Sequence, residues 1–319
     1  MKSGLQSAKQ FEIKRKDGFL HEITHNYWLY LLVFPAILYA VVFKYLPMIG
    51  VIIAFEDFNP VKGMFGSKLV GFDNFKFFFR GSQWMQITFN TLYLNILFII
   101  TGTIAALVVA IVLTELGRSY YVRIAQSVMI LPNFISWAVV AMFAQAFIAS
   151  DGGFINQIIT AFGGESVGFY STPSVWPAIF VIVRIWKGAG FGAIIYMAVI
   201  IGIDPEVKQA AKIDGASRFQ EIMHITLPAL KDTVILLTVL SVGSIFYGDF
   251  GMIYTFVGDN SMLFPTTDVI DTYVFRSIRT SGSMGMSAAV GLYQSFIGFL
   301  LVIGTNTVVK KINPDAAIF

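Results

Sequence analysis

The sequence contains no cysteine, few histidines and few charged side chains. The absence of cysteine excludes disulfides, thiolate metal ligands and a cysteine nucleophile. Only three histidines occur, at positions 21, 25 and 224, which disfavours a zinc site. Asp, Glu, Lys and Arg together make up 13% of the 319 residues. We therefore predict no catalytic, cofactor-binding or metal-ligating site in this chain.

Hydrophobic residues dominate the composition. They account for 56% of the chain, and 31 residues are phenylalanine; the mean hydropathy is +0.72. These values exceed what a water-soluble domain carries, so the sequence predicts an integral membrane protein in a lipid bilayer. The net charge of +3 is spread over several loops and tails without an interleaved aromatic patch, which argues against nucleic-acid binding.

The N-terminal residues differ from the rest in being polar and basic. They contain no apolar core and no small-residue cleavage site, so we expect a retained cytoplasmic tail over residues 1–26 and not a signal peptide. Residues 27–319 are predicted to form one membrane domain, because no soluble domain, repeat or low-complexity tract interrupts them.

Six segments are apolar enough to cross a bilayer, which requires about twenty residues for each helix. Their predicted bounds are 28–53, 87–113, 124–148, 175–202, 232–256 and 286–309. An even number of spans places both termini on one side. Thirteen Lys and Arg residues lie on that side and six on the other, so both termini are predicted to be cytoplasmic. The predicted fold class is therefore an all-α integral membrane protein with six transmembrane helices.

The loop between the fourth and fifth spans, residues 204–228, carries most of the charge in the second half of the chain. Pro205 suits a first helical position, and Gly215 suits a helix end. A second short helix is predicted over residues 217–225, before Pro228 opens the next span. Small alanine side chains on an exposed helix would let another protein approach closely, which indicates a docking element. The alternative is a solvated connector.

This loop resembles the cytoplasmic EAA loop of permease subunits in binding-protein-dependent ABC importers. The family pattern is Glu-Ala-Ala followed by Asp-Gly and later by Ile-Thr-Leu-Pro. The matching residues are Ala210, Ala211, Asp214, Gly215, Ala216, Ile225, Thr226, Leu227 and Pro228. Gln209 stands where the family has Glu, so the side chain loses its charge. The resemblance implies that the residues from Gln209 to Ala216 belong to a coupling helix that contacts a separate ATPase.

Further stretches resemble the carbohydrate-uptake branch of these importers, in particular its complex-oligosaccharide permeases. They read GFDNF, TFNTL, LPNFIS, WKGAGFGAIIYMA and DVIDTYVF. The resemblance implies the type I ABC importer permease fold, also called MetI-like, in the bacterial cytoplasmic (inner) membrane. The implied partners are a second related permease, two ATPase subunits, an extracytoplasmic solute-binding protein and an oligosaccharide. ATP and Mg²⁺ would be bound by the ATPase, since this chain contains no G-x-x-x-x-G-K-[ST] phosphate loop.

Two cationic residues, Arg184 and Lys187, lie three positions apart inside the predicted fourth span. Ionisable side chains inside a bilayer are costly and usually face a cavity or a partner, so both are candidates for the substrate pathway. In the alternative interpretation, they extend to the membrane interface or pair with a carboxylate such as Asp249. Gly188 and Gly192 are four positions apart and predict close helix packing.

Tyr247, Asp249 and Gln294 are further candidates for the same pathway. A sugar site needs aromatic rings and hydrogen-bonding groups, because sugar hydroxyls require paired partners. The alternative for the aromatic residues is packing or an interfacial belt. For Gln294 the alternative is a hydrogen bond between helices.

The function predicted from these features is ATP-driven import of an oligosaccharide by alternating access, without covalent chemistry in this chain. Two cations in a low-dielectric span indicate an acidic substrate such as alginate fragments, since Asp249 neutralises only one of them. Two other classes stay open. One is an ion-coupled secondary sugar transporter, which commonly has broken helices in an internal repeat; the other is a membrane scaffold that transports nothing.

Overall fold

The computed structural model is predominantly helical. The residues that it describes are 25–80, 83–117, 119–150 and 152–312. The chain divides into two compact units, Met1–Ile52 and Ile53–Phe319. The predicted cytoplasmic tail lies almost entirely outside the described residues.

The described part of the first unit is one apolar run. Helix α1 spans Tyr27–Ala40, a π-helical turn follows over Val41–Tyr45, and a 3-10 stretch over Leu46–Phe55 continues into the second unit. Its side chains are largely exposed, as expected of a helix that is apolar on all sides and surrounded by lipid. The run of 29 residues is long enough to cross a membrane.

The second unit opens with a short antiparallel ribbon of β1, Glu56–Asp57, and β2, Lys68–Leu69. The remaining elements are helical. In chain order they are α2 Asp73–Arg80, α3 Gln83–Glu115, α4 Tyr120–Ile130, α5 Trp137–Ile148, α6 Phe154–Ala161, α7 Trp176–Ile201, α8 Pro205–Ile213, α9 Arg218–Glu221, α10 Leu227–Gly243, α11 Phe250–Val257, α12 Phe264–Thr267, α13 Ile270–Ser281 and α14 Met284–Ile312. Short 3-10 or π-helical turns lie at Leu131–Phe134, Phe169–Ser171, Pro173–Val175, Ile222–Thr226 and Ser261–Leu263.

Five helical runs among the described residues are long and apolar enough to cross a membrane, and a bent pair makes a sixth if it counts as one span. The runs are Tyr27–Phe55, Gln83–Glu115, Pro173–Ile201, Arg218–Gly243 and Met284–Lys311. The bent pair consists of Tyr120–Phe134 and Trp137–Ile148. The predicted all-helical membrane class is confirmed, although two of the predicted spans need correction.

The third predicted span, 124–148, is wrong as a single helix, because α4 and α5 meet at an angle of 100°. Pro132 has no N–H with which to continue the helix. Ile135 and Ser136 then adopt extended backbone conformations. The Ser136 side chain caps α5 by accepting the Val139 N–H at 3.4 Å. A continuous apolar sequence therefore contains a structural break.

The fifth predicted span, 232–256, begins and ends in the wrong place. One helical run covers Arg218–Gly243, so the second short helix predicted over residues 217–225 and the span are a single element that contains Pro228. A π-helical turn over Ile222–Thr226 precedes this proline, which cannot donate a backbone hydrogen bond. The run ends well before residue 256, and Asp249 caps a separate short helix, α11.

Helix α7 packs closely against α3 and α4 through small residues. A Cβ atom on Gly190 would overlap the Met129 carbonyl oxygen of α4, and one on Gly192 would lie 3.2 Å from the Cβ of Ala106 on α3. Open space surrounds Gly188 instead. The prediction of close packing is therefore confirmed for Gly192 and wrong for Gly188, and the sequence pattern does not single out Gly190.

Candidate functional site

A cavity of about 470 Å³ opens between α3, α7 and α10. Its volume lies within the range of about 300–1,000 Å³ that small-ligand sites occupy. The polar side chains on its wall are Asn95, Thr103, Arg184, Tyr196, Ser241 and Ser244. Among the described residues, no group of three His, Cys, Asp or Glu side chains is arranged to hold a metal ion. The wall can therefore offer hydrogen bonds and one guanidinium to a hydroxyl-rich molecule.

Arg184 extends from α7 towards the start of α11. Its Nη1 donates to Asp249 Oδ2 at 2.7 Å, and its guanidinium carbon lies 4.8 Å from the centroid of the Phe98 ring on α3. The other oxygen of Asp249 accepts the Met252 N–H at 3.1 Å and so caps α11. The Arg184 side chain stays 39% exposed and that of Asp249 23%. Of the sequence-based alternatives for Arg184, the structure shows the pair with Asp249, at the cavity wall.

Lys187 has entirely different partners. Its Nζ donates to the backbone carbonyl oxygens of Pro132, Asn133 and Ile135 at 3.2, 2.7 and 2.6 Å. It also lies 5.1 Å from the Trp137 ring centroid. An ammonium group has three N–H donors, and these carbonyls, which lie at the break between α4 and α5, accept from it; the Pro132 carbonyl also accepts the Ile135 N–H at 3.2 Å. These contacts give Lys187 partners within the chain, so its assignment to the substrate pathway stays a prediction.

Gln294 lies in the interior, with 4% of its surface exposed. Its amide donates to the Phe246 carbonyl oxygen and is 3.3 and 3.4 Å from the two Asp271 carboxylate oxygens. The Gly248 N–H also donates to Asp271, at 2.6 Å. Burial raises the pKa of the Asp271 carboxyl, and both hydrogen bonds oppose that rise. Gln294 thus supports the connection between α10 and α11, which corrects its assignment to the substrate pathway.

Tyr247 lies in the same connection and is 45% exposed. Its hydroxyl is 3.0 Å from the Ser295 Oγ on α14. Two asparagines of α3 differ in their surroundings: Asn95 lines the cavity, whereas the Asn90 amide donates to the backbone carbonyls of Phe264 and Pro265 in α12 and of Asp268 after it. Tyr247 stays a prediction for the substrate pathway.

The loop over residues 204–228, predicted to couple to the ATPase and called the coupling loop below, begins with well-capped helices. α8 starts after Asp204, whose side chain accepts the Glu206 N–H at 2.9 Å. α9 starts after Ser217, whose Oγ accepts the Gln220 N–H at 3.3 Å. The Gln220 side chain accepts the Ser217 N–H in return, at 2.8 Å, which completes a capping box. These caps confirm the predicted helix starts at Pro205 and after Ser217.

The turn between α8 and α9 depends on Gly215. Its φ of +79° is a conformation that favours glycine. The Ala216 N–H donates to the Ala211 carbonyl oxygen at 2.9 Å, and the Gly215 N–H donates to the Lys212 carbonyl oxygen at 3.2 Å. This pair of hydrogen bonds is a Schellman cap. The predicted helix end at Gly215 is confirmed.

One face of the coupling loop is open and the other is tied to the next span. Gln209, Ala210 and Asp214 are exposed. Lys208 lies 3.8 Å from the Glu221 carboxylate, whose side chain is only 7% exposed. This ion pair joins α8 to the base of the helical run that contains α10. The arrangement leaves the EAA-like face accessible while fixing the helix behind it.

The sequence analysis does not identify Phe98 at the cavity or the Lys208–Glu221 ion pair at the coupling loop. Phe98, beneath Arg184, is one apolar residue in a long apolar span, so no sequence signal distinguishes it. Lys208 and Glu221 do have a signal, because the turn at Gly215 between them returns the chain alongside α8 and brings charges on both sides close together.

A family model described as binding-protein-dependent transport system inner membrane component matches residues 99–314. The chain is 38% identical over 298 residues to Protein LplB of Bacillus subtilis (strain 168), covering 93% of each chain. It is 32% identical over 305 residues to the polygalacturonan/rhamnogalacturonan transport system permease protein YteP of the same organism, covering 96% of this chain and 94% of YteP.

A solved structure has the same fold. It is that of a bacterial ABC transporter involved in the import of the acidic polysaccharide alginate, with a TM-score of 0.84 and 29% identity. The match covers 93% of this chain and 100% of the matched chain. A second structure of the alginate transporter, in complex with an alginate pentasaccharide-bound periplasmic protein, matches with the same TM-score of 0.84. The chain therefore belongs to the family of binding-protein-dependent transport system inner membrane components, the permease subunits of ABC importers.

Proposed function

We propose that this permease subunit passes an acidic oligosaccharide, of the uronate type found in alginate, through the inner membrane by alternating access. A solute-binding protein delivers the sugar, and a second, related permease completes the pore. Two separate ATPase chains bind ATP and Mg²⁺ and carry out hydrolysis. The part of this chain is to supply one wall of the pathway and one coupling loop.

The observation that carries the proposal is the position of Arg184 on the cavity wall. A guanidinium has five N–H donors, and Arg184 stays 39% exposed while it is paired with Asp249. Its remaining donors are therefore open to a ligand. A sugar carboxylate can bind them as an ion pair with two parallel N–H···O bonds, a geometry that a single neutral hydroxyl does not offer.

Two relatives support an acidic substrate. The matching solved transporter imports alginate, which is an acidic polysaccharide, and YteP is named for polygalacturonan and rhamnogalacturonan. One feature of the site reduces the number of cations that a substrate meets. Because Lys187 is engaged by three backbone carbonyls, only one of the two predicted cations is available to the cavity.

The first prediction tests whether Arg184 recognises the negative charge of the substrate. Arg184→Gln is expected to lower the stimulation of ATPase activity by uronate oligomers about tenfold or more at sub-saturating sugar, because a hydrogen bond to a charged group contributes roughly 1.5–3 kcal/mol. The complete importer in proteoliposomes is assayed with uronate oligomers and with neutral oligosaccharides of equal length, each with binding protein. Lys76→Gln is the matched control, since Lys76 forms an exposed pair with Asp73 at 3.0 Å.

The control for folding is a double variant. Arg184→Gln leaves Asp249 unpaired, so the combined Arg184→Gln and Asp249→Asn variant removes both charges and keeps the polar contact. It is expected to assemble normally and still to lose the preference for uronates. Stimulation by neutral sugars alone, or equal stimulation by uronates in the wild type and Arg184→Gln, would contradict the proposal.

Import into the cytoplasm also requires a particular orientation of the chain in the membrane. Both termini and the coupling loop would lie in the cytoplasm, as the distribution of Lys and Arg indicates. The exposed EAA-like face then meets an ATPase. Ile213 and Phe219 are 86% and 70% exposed on this loop, and apolar side chains grouped in this way suit a protein contact.

The second prediction concerns Gln209, where the family has Glu. The side chain is exposed and uncharged, so it cannot form the ion pair that a Glu at this position could form with a basic residue of the ATPase. Gln209→Glu is expected to be tolerated, and Gln209→Ala is expected to retain more than about half of the transport activity, since an exposed substitution changes stability by roughly 0.5 kcal/mol or less. Uptake of labelled sugar into proteoliposomes measures both. A severe defect in Gln209→Ala would show that the amide is essential for coupling.

A further inference from the structure

A row of side chains along α11 leads away from the cavity. Asp249, at the start of this helix, pairs with Arg184 on the cavity wall. Phe250 and Tyr254 are one turn apart on the same side of α11, and their rings are nearly parallel, with an interplanar angle of 10° and centroids 5.2 Å apart. The Tyr254 hydroxyl accepts a hydrogen bond from Arg279 at 2.6 Å. We call these five residues the α11 strip.

Arg279, on α13, is held in place and yet open. Besides Tyr254, it donates to Asp259 Oδ2 at 3.1 Å, and its guanidinium carbon lies 5.6 Å from the Phe275 ring centroid. The side chains of Arg279 and Asp259 are 53% and 52% exposed. The Phe275 ring also contacts the rings of Phe250 and Tyr254, with centroids 5.0 and 4.9 Å away. An arginine fixed in this way loses little side-chain entropy when it binds a ligand.

Arg276, on the same helix as Arg279, is an arginine whose contacts within the chain are structural. Arg276 bonds Asp268 with both guanidinium Nη atoms and lies over the Phe264 ring, 4.1 Å from its centroid. The side chains of this pair are only 21% and 7% exposed. Arg279 has one carboxylate contact and more than twice the exposure, so its fork is available to a carboxylate from outside the chain.

We propose that the α11 strip is a second binding subsite for the acidic oligosaccharide, in which Arg279 binds a uronate carboxylate before the sugar reaches Arg184. The inference rests on the proposed function. Its occupant follows from chemistry: arginines at both ends select carboxylates, and the rings between them offer apolar contact to sugar faces. Asp249 to Tyr254 alone rises roughly 7.5 Å along α11, a length along which successive units of an oligomer can lie.

The test measures ATPase activity of the complete importer in proteoliposomes under two conditions, with unloaded binding protein and with binding protein loaded with a uronate oligomer. The readout is the increment that the sugar adds. Arg279→Gln is expected to reduce this increment about fivefold, a larger fold-change than it causes in the activity with unloaded binding protein. Tyr254→Phe removes the hydroxyl that positions Arg279 and keeps the ring, so about a twofold reduction is expected. Lys76→Gln, the exposed-pair control, should have no effect.

Each result decides between interpretations. An equal fall with unloaded and loaded binding protein in Arg279→Gln would assign Arg279 to docking of that protein and overturn the subsite. An unchanged increment in Arg279→Gln would overturn it as well. Arg279→Lys keeps the charge and should restore more of the increment than Arg279→Gln does. If uronates add no increment in the wild type, the proposed function itself fails, which distinguishes that failure from loss of the subsite alone.

Discussion

Lys187→Met is expected to destabilise the permease by about 2–5 kcal/mol and to abolish sugar uptake. The substitution keeps an unbranched side chain but removes the ammonium that binds the carbonyl oxygens of Pro132, Asn133 and Ile135. The Pro132 carbonyl keeps the Ile135 N–H at 3.2 Å, but the Asn133 and Ile135 carbonyls lose the ammonium donor, and a polar group left unpaired away from water costs about 1–3 kcal/mol. The thermal midpoint of the purified complex in lipid nanodiscs measures the loss.

Two further variants make this result specific to the break between α4 and α5. Lys187→Arg keeps the charge but presents its donors in a planar fork, so intermediate stability is expected. Lys44→Met removes an exposed lysine from the first span and should leave the midpoint unchanged. A wild-type midpoint in Lys187→Met would show that the break is stable without the ammonium, and would remove Lys187 as its support.

The coupling loop is the part of the fold that the sequence predicts best, because its conformation depends on local chemistry. Asp204 and Ser217 cap helices that start one residue later, and Gly215 takes the left-handed conformation that ends α8. Each of these features involves residues within a few positions of one another. Caps and turns of this kind follow from side-chain hydrogen bonding and backbone sterics, which a sequence pattern records directly.

The break in the third span shows where sequence reasoning fails. Pro132 signals an interruption, yet the apolar residues on both sides meet the criterion for one span. The structure compensates the break with Lys187, more than fifty positions along the chain. Hydropathy alone assigns the lysine to a polar pathway, because a charge in a span normally faces a cavity. Only the tertiary contact shows that its partners are backbone carbonyls.

The sequence-based assignment of Gln294 to the substrate pathway has a similar weakness. A carboxamide in an apolar span suits a pore wall or a hydrogen bond between elements, and sequence spacing does not decide between them. In the structure, Gln294 is buried against Phe246 and Asp271. Arg184 presents the opposite outcome, because it pairs with Asp249 and still lines the cavity. The sequence therefore identifies which residues are unusual, whereas the fold determines which of them face the pathway.

Two ion pairs, Lys208–Glu221 and Arg184–Asp249, also connect the coupling loop with the cavity between α3, α7 and α10. The Lys208–Glu221 pair ties α8 to the base of the Arg218–Gly243 run. The far end of that run leads within a few residues to Asp249, which holds Arg184. A displacement of α8 by the ATPase would therefore reach the cavity wall through a single helical run. This physical link depends on the shape of the coupling loop.

Gly215→Val should expose that dependence, because valine at φ +79° is strained by about 1–3 kcal/mol. No heavy atom lies within 4 Å of a Cβ placed there, so the strain arises in the backbone and not from a clash. We expect the Schellman cap to open, since its two hydrogen bonds end on Ala211 and Lys212. Sugar uptake should then fall by more than tenfold, while membrane insertion stays normal because the turn lies outside the spans.

The assay follows uptake, ATP hydrolysis and retention of the ATPase in the same purified complexes. Gly215→Val should hydrolyse ATP without import or lose its ATPase during purification. Gly215→Asn is the matched control, because asparagine tolerates the left-handed conformation and should retain about half of the uptake or more. Ala210→Trp adds bulk to the exposed face without straining the turn and should release the ATPase. Wild-type uptake with normal ATPase retention in both Gly215→Val and Ala210→Trp would rule out a coupling contact at this loop.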